Sequence, residues 1–286
     1  MANLSNTRFP VTNPYIGYTT GYLLSESRLE AVTEESAMLE ATWDGFIKAP
    51  SSIRAYPIIG ENFKVELADD EIVSETGIGG RTIQLYQKGG VDKFSIPNVT
   101  PKMMRKLLTF DKKYLYRAIV TSKGYIKGIT DQATKTKFLF EKVYVMVSKS
   151  KDKEAESEKL TITMQSQEPE DTLYNGMVVM PSFDINDKTG LWDVVIAKTS
   201  ATTTKIVATV KTDLENSPYV GLQKADFDLK LGATPVTITI ATDNGDGSYD
   251  LAGTFATGSY TLALKAPALL TTGHLIEGIN TLSITI

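Results

Sequence analysis

From about residue 60 onward the chain is written in short runs where apolar and polar residues alternate, and this restricts the fold more than any other feature. Phe63-Lys64-Val65-Glu66-Leu67 and Thr82-Ile83-Gln84-Leu85-Tyr86 are two such runs. Successive side chains of a strand point to opposite faces, so a period of two builds sheets with one face buried and one wet. Gly, Asp and Asn, which supply turns, cut the runs apart. A mainly β chain is therefore predicted.

Two segments break the pattern. Over residues 27–47, Leu29, Val32, Leu39, Trp43 and Phe46 recur at helical spacing, and Ser27 with Glu30 has the form of a capping box, so an amphipathic helix is expected. Thr100-Pro101 supplies an N-cap and an N1 proline for a shorter helix carrying Met103, Met104, Leu107 and Leu108, which closes before Lys112-Lys113. Strands are expected again over 114–120, 125–130, 138–147 and 161–164, with a turn at Ser122-Lys123-Gly124. The first two dozen residues, punctuated by Pro10, Pro14, Gly17 and Gly21, suit an extended arm, and the charged run 148–158 suits a loop or strand tip in solvent.

Residues 169–181 read as irregular, and Thr199-Ser200-Ala201-Thr202-Thr203-Thr204 has the composition of a linker. The expected organisation is an arm and helix over 1–59, a β-rich assembly domain of sandwich or barrel type over 60–198, and an immunoglobulin-like β-sandwich over 205–286, where six short strands are separated by regular turn signals. Inside the last domain, Asp243-Asn244-Gly245-Asp246-Gly247 offers oxygen ligands but lacks the register of an EF-hand loop. Two glycines able to adopt positive φ between β runs predict a hairpin there.

Composition removes most routes to chemistry. The chain has no cysteine and a single histidine, His274, which excludes disulfides, thiolate metal sites and cysteine nucleophiles. No nucleophile elbow, P-loop or dinucleotide fingerprint occurs, so neither an enzyme nor a cofactor is expected. Asp69-Asp70-Glu71 and Glu168-Glu170-Asp171 are the best carboxylate sets for hydrolysis or Mg²⁺, and both read as surface loops. The N-terminus lacks a basic segment followed by an apolar one, and no stretch is long enough to span a bilayer, so a cytosolic protein without a membrane partner is expected.

Charge is unevenly placed. Residues 1–87 carry 6 basic and 12 acidic side chains, residues 88–142 carry 13 and 4, and the rest carry 11 and 18. A basic block between two acidic ones suits a face that meets an opposite face on another copy, with self-cancelling surface charge as the plainer alternative. The residues expected at such a contact are Lys112, Lys113, Arg117, Lys123 and Lys127 on one side and Asp69, Asp70, Glu71 and Glu75 on the other. The block also interleaves Tyr114, Tyr116, Tyr125, Phe138 and Phe140 with its cations, as a nucleic-acid stacking platform would, although the sequence pI of about 5.3 opposes that reading.

A strand near 93–96, a short helix over 100–110 and a long hairpin over 114–147, followed by a separate sandwich, resemble the element order of siphophage tail-tube proteins. The run 243–264, with Tyr249 and Tyr260, is similar to the penultimate hairpin of bacterial and phage immunoglobulin-like domains. The resemblance implies a virion structural protein that assembles in the host cytoplasm into a homo-oligomeric ring or tube. Its partners would be its own copies and other virion proteins, with DNA only as passing cargo. The long helix over 27–47 departs from a minimal tube subunit. It leaves open a capsid-decoration, head-fibre or neck protein whose immunoglobulin-like domain binds a host or glycan. Thr-rich sandwiches commonly work outside cells, and a virion protein reconciles this with the missing export signal and cysteines.

Overall fold

The computed structural model describes residues 18–29, 32–59, 64–68, 71–76, 82–97, 99–149, 159–169, 175–271 and 273–286. Strand makes up 48% of it and helix 16%, and its sheets curl into half-barrels, so the mainly β expectation holds.

The first part of the chain contributes β1 (Thr19–Ser25), β2 (Val32–Thr33), α1 (Glu34–Ala37), α2 (Glu40–Ile47), β3 (Tyr56–Ile59) and β4 (Lys64–Ala68). After these come β5 (Glu71–Thr76), β6 (Thr82–Lys88), β7 (Val91–Pro97), α3 (Pro101–Leu107), β8 (Lys113–Thr121) and β9 (Ile126–Thr130). β10 (Lys137–Leu139), β11 (Glu141–Lys149), β12 (Lys159–Ser166) and β13 (Gly176–Val179) complete it.

One branched sheet organises these elements, and β8 is its trunk. Residues 116–121 of β8 pair with β1 along one edge. On the opposite edge residues 113–117 pair with β11, and residues 119–120 then pair with β9. The sheet therefore divides into a β11-β12-β7-β4 wing and a β9 wing that bears β10, β2 and β13. Each wing closes over its own core. Tyr22, Leu24, Phe94, Leu115, Val143 and Ile162 fill one, and Leu23, Val32, Trp43, Val120, Phe138 and Phe140 fill the other. Tyr22 and Leu24 face one core and Leu23 the other, so β1 is apolar on both faces, as a strand covered twice must be.

The expected strand over 138–147 is broken at Phe140 because its two halves serve different wings, β10 pairing with β9 and β11 with β8 and β12. The expected helix over 27–47 is not a single helix. Val32 and Thr33 are taken into the sheet against Phe138 and Lys137. The Thr33 hydroxyl then accepts the Ser36 amide at 3.2 Å and opens α1, while Leu39 is extended and leads into α2. Tertiary pairing thus outweighs helical spacing, which is a weak prior for β-branched residues. The buried side chains are largely those expected, with Trp43 wholly enclosed, but Leu39 faces solvent. Ser27 sits in a bend and the proposed capping partner Glu30 lies outside the described residues. α3 begins as expected, with Thr100 Oγ1 accepting the Met103 amide at 3.3 Å and Pro101 at the first helical position.

β4 and β7 form a hairpin whose register carries on past the sheet. Ala68 pairs with Val91, and Glu71 then pairs with Lys88 as β5 and β6 continue the ladder. Among the described residues the β5–β6 end belongs to no larger sheet. It is an arm about 20 Å long, at roughly 3.3 Å per residue.

The second part of the chain is a two-sheet sandwich. It contains β14 (Trp192–Ala201), β15 (Lys205–Thr212), β16 (Phe227–Leu231), β17 (Thr234–Pro235), β18 (Ile240–Asp243), β19 (Ser248–Ala252), β20 (Ser259–Leu264), β21 (Ile276–Gly278) and β22 (Leu282–Thr285). Sheets β18-β19-β15-β14-β21 and β17-β16-β20-β22 enclose Val194, Ile206, Phe227, Tyr249, Leu251 and Leu262. The linker expected at 199–204 is instead a hairpin. Thr199–Ala201 end β14, Thr202 to Thr204 turn, and β15 returns antiparallel with Ala201 opposite Ile206. Threonine suits strands as well as linkers, and composition alone could not separate the two. The sandwich therefore starts at Trp192. The expected 243–247 hairpin is present, with Gly245 and Gly247 both at φ +80° and the Asn244 amide bonded to Ser248 O at 3.0 Å.

Candidate assembly interface

The five basic residues expected at one contact do not lie together. Lys112, at φ +56°, and Lys113 stand where β8 begins, the Lys113 ammonium 3.6 Å from Glu26. Lys123 stands on the turn where β8 ends, with Lys127 nearby on β9 opposite Ile119. The nine residues of β8 separate the two pairs by roughly 25 Å at about 3.3 Å per residue. They form two basic ends of one domain. Of the acidic set, Asp69 and Asp70 lie outside the described residues, and Glu71 and Glu75 are on β5, where the backbone alone is described.

Arg117 is a correction, since it is not a surface cation. It is 5% exposed, and its Nε donates to Glu141 Oε2 at 3.0 Å while Nη1 donates to Asp92. The Tyr22 hydroxyl also donates to Asp92, at 3.2 Å, and the Ser166 hydroxyl donates to Glu141. One side chain each from β1, β7, β8, β11 and β12 thus meets in a buried network that fixes the strand order at the trunk. Burial pushes the Asp92 carboxyl upward, against the pull of the Arg117 guanidinium, and burial together with Asp92 pushes the Tyr22 phenol up as well. The signal for this inward charge was present in the sequence: Arg117 shares the parity of Leu115, the buried face of its strand.

The two parts of the chain meet along a seam of ion pairs that sequence reasoning did not anticipate. Arg54, just before β3, grips Glu277 of β21 with both terminal nitrogens, at 2.6 and 2.9 Å. Lys106 of α3 pairs with Asp193 at the start of β14, and Lys102 lies 3.3 Å from an Asp213 carboxylate oxygen. Beside these pairs is a cavity of about 470 Å³ lined by Tyr56, Met103, Phe110 and Leu191 as well as by Arg54, Glu277, Lys106 and Asp193. The bond from Arg54 holds Glu277 below the ordinary carboxylate range, and burial lowers Lys106. Every cation named here already has its anion.

The remaining candidates for chemistry are occupied by structural bonds. Glu168 accepts from Arg28 and from the Lys142 amide, and Glu170 and Asp171 lie outside the described residues. Tyr219 Oη is 2.9 Å from His274 Nδ1, and His274 Nε2 is 4.0 Å from Asp226. Asp226 is itself taken by the amides of Gln223 and Thr271 and by the Thr271 hydroxyl. Among the described residues no group of three or more His, Asp or Glu side chains is placed to hold a metal ion. Phe138 and Phe140 are buried against Trp43, so they are not available to stack on bases. No helix of the described residues is long and apolar enough to cross a membrane.

What the first domain does present is strand edge. Among the described residues β13 pairs only with β9, β4 only with β7, and β3 only with β1. Residues 176–179, read as irregular from sequence, form β13, which leaves Val178 43% exposed and, just beyond it, Met180 62% exposed. Leu39, 55% exposed, is close by, because Ser182 bonds to Met38 O. No family model matches this chain, and no curated protein matches it.

Proposed function

We propose that this chain is a self-assembling structural subunit of a virion, of the kind that builds a phage tail tube. The observation that carries the proposal is the β5–β6 arm, which among the described residues leaves the larger sheet as a two-stranded ribbon. A lone hairpin is marginal in water and needs three or more strands or a packed surface to be stable. A neighbouring copy supplies that surface. Among the described residues β13 and β3 are each paired along one side only, and such edges offer the matching backbone groups, which monomeric proteins ordinarily cover or blunt. The separated basic ends suit contacts at both ends of the domain, as in stacked rings, better than one lateral patch.

The sandwich would then sit outside the tube wall, held by the Arg54–Glu277 seam. Electron microscopy of the purified chain over a range of salt concentrations tests the reading. Rings or tubes are expected. Protein that stays monomeric under all conditions overturns it, and monomers that add to preformed heads assign the chain to capsid decoration.

A further inference from the structure

The face of β8 that carries Tyr116, Ala118 and Val120 packs these three against the core around Trp43, but the face runs on past that cover. Tyr114, one same-face step earlier, is 59% exposed. Directly opposite it on β11 stands Tyr144, with ring centroids 5.1 Å apart, and the Lys142 ammonium lies 5.1 Å from the Tyr114 centroid. The row continues to Gln165 on β12, and the next row sets Met146 beside Thr163 and then Lys93 of β7. Opposed residues of paired strands share a face, so Lys142 and Lys93 bracket the two rings on one sheet surface. Charge on this wing is one-sided. Strands β4, β7, β8, β11 and β12 carry six lysines and three acidic residues, and two of those three, Asp92 and Glu141, are buried around Arg117. The third, Glu66, is exposed opposite Lys93. Glu168, which accepts the Lys142 amide, is paired with Arg28.

We propose that this face binds single-stranded nucleic acid, with bases stacking on Tyr114 and Tyr144 and phosphates meeting Lys142 and Lys93. Exposed aromatic rings on a sheet give unpaired bases a π-face to stack on, and lysines beside the rings neutralise the backbone. A neutral glycan can use the rings but gains nothing from the lysines. A duplex can use the lysines, but its bases are stacked on each other and leave the rings unused. Gln165 and Thr163 can both donate and accept, so the face should be indifferent to base identity. The acidic pI of the whole chain arises elsewhere, since residues 1–87 and 143–286 hold 12 and 18 of the 34 acidic side chains. The inference goes beyond the tube reading and does not rest on it, because one subunit carries the whole face.

Fluorescence anisotropy of the full chain with a fluorescein-labelled oligothymidylate of about twelve nucleotides tests the proposal. Each phosphate neutralised on a single strand adds about 0.7 to the salt slope of log affinity, so two lysines predict binding that weakens about sevenfold between about 50 and about 200 mM salt. Tyr114→Ala should weaken binding about fivefold or more with that slope unchanged, and Tyr114→Phe should bind like the native chain. Lys142→Gln should lower the slope by about 0.7. Tyr114 is largely exposed, so its variants should keep the native melting temperature. The same strand annealed to its complement should bind more weakly. No binding at about 50 mM salt, an affinity unmoved by Tyr114→Ala, or a duplex bound as tightly as the single strand overturns the inference. So does a chitin oligosaccharide that binds through Tyr114 when the oligonucleotide does not, because the rings then serve a glycan. Oligonucleotide binding by a chain that never forms tubes refutes the tube reading alone, whereas tubes from a chain that does not bind it refute this inference alone.

Discussion

Arg54 and Glu277 stand 223 positions apart in the chain, yet the two guanidinium nitrogens of one meet the two carboxylate oxygens of the other, at 2.6 and 2.9 Å. The Arg54 side chain is almost fully buried at this point and also donates from Nε to Ala49 O at 2.8 Å. A bidentate pair of this kind fixes direction as well as distance, so it orients the sandwich against the first domain.

Removing the carboxylate leaves a buried guanidinium with one partner. Glu277→Ala should therefore cost about 2 kcal/mol, the range for hydrogen bonds to charged groups. Because Arg54 holds the Glu277 pKa below its ordinary 4.5 in the fold, the unfolded chain takes up a proton first as pH falls. The stabilisation is complete above that value and is lost as pH drops through the folded pKa. Urea unfolding between about pH 5 and pH 3 should show this loss in the native chain and a weaker slope in Glu277→Gln.

Truncation should depend sharply on where the chain is cut. A chain ending at Thr204 keeps β14 without β15, β19 and β21, which exposes the buried Val194 and Ile196. It should aggregate. A chain ending at Gly190 removes the sandwich whole but strands Arg54 and Lys106 without their anions, so it should stay soluble with a lower melting temperature than the intact protein. Equal solubility of the two truncations would show that β14 is not committed to the sandwich.

Arg117→Met should cost about 3–5 kcal/mol, because it removes from the core the cation that the buried Asp92 and Glu141 carboxylates share. Replacing all three together by apolar residues should recover much of the loss. Thermal unfolding of the single and triple variants makes the comparison, and a single variant as stable as the native chain would mean that water reaches the network.

The two basic ends should act separately in assembly. Lys112→Glu with Lys113→Glu, and Lys123→Glu with Lys127→Glu, should each slow polymerisation at low salt, and the effects on log rate should add because the sites are about 25 Å apart. Exposed pairs contribute only about 0.2–1 kcal/mol each, so the melting temperature should barely move. Light scattering against ionic strength reads the rates, and salt-independent assembly would assign these lysines to self-cancelling surface charge.

Local grammar alone determined much of this protein. Period-two runs set the β class, Thr100-Pro101 set the start of α3, and the two glycines of 243–247 set a hairpin, because each depends on backbone preferences within a few residues. Tertiary structure decided the rest. Val32 and Thr33 became strand by pairing with β10, and the 199–204 run became the end of β14 and a turn because β14 finds its partner in β15 and its core in the sandwich. Arg117 became a core residue because Asp92 and Glu141 arrive from β7 and β11 to neutralise it, and the seam exists because Glu277 folds back on Arg54. A residue's own sequence neighbours carry no information about such partners. The free energy of a buried charge or an unpaired edge depends on groups that only the folded chain, or the assembled one, brings within reach.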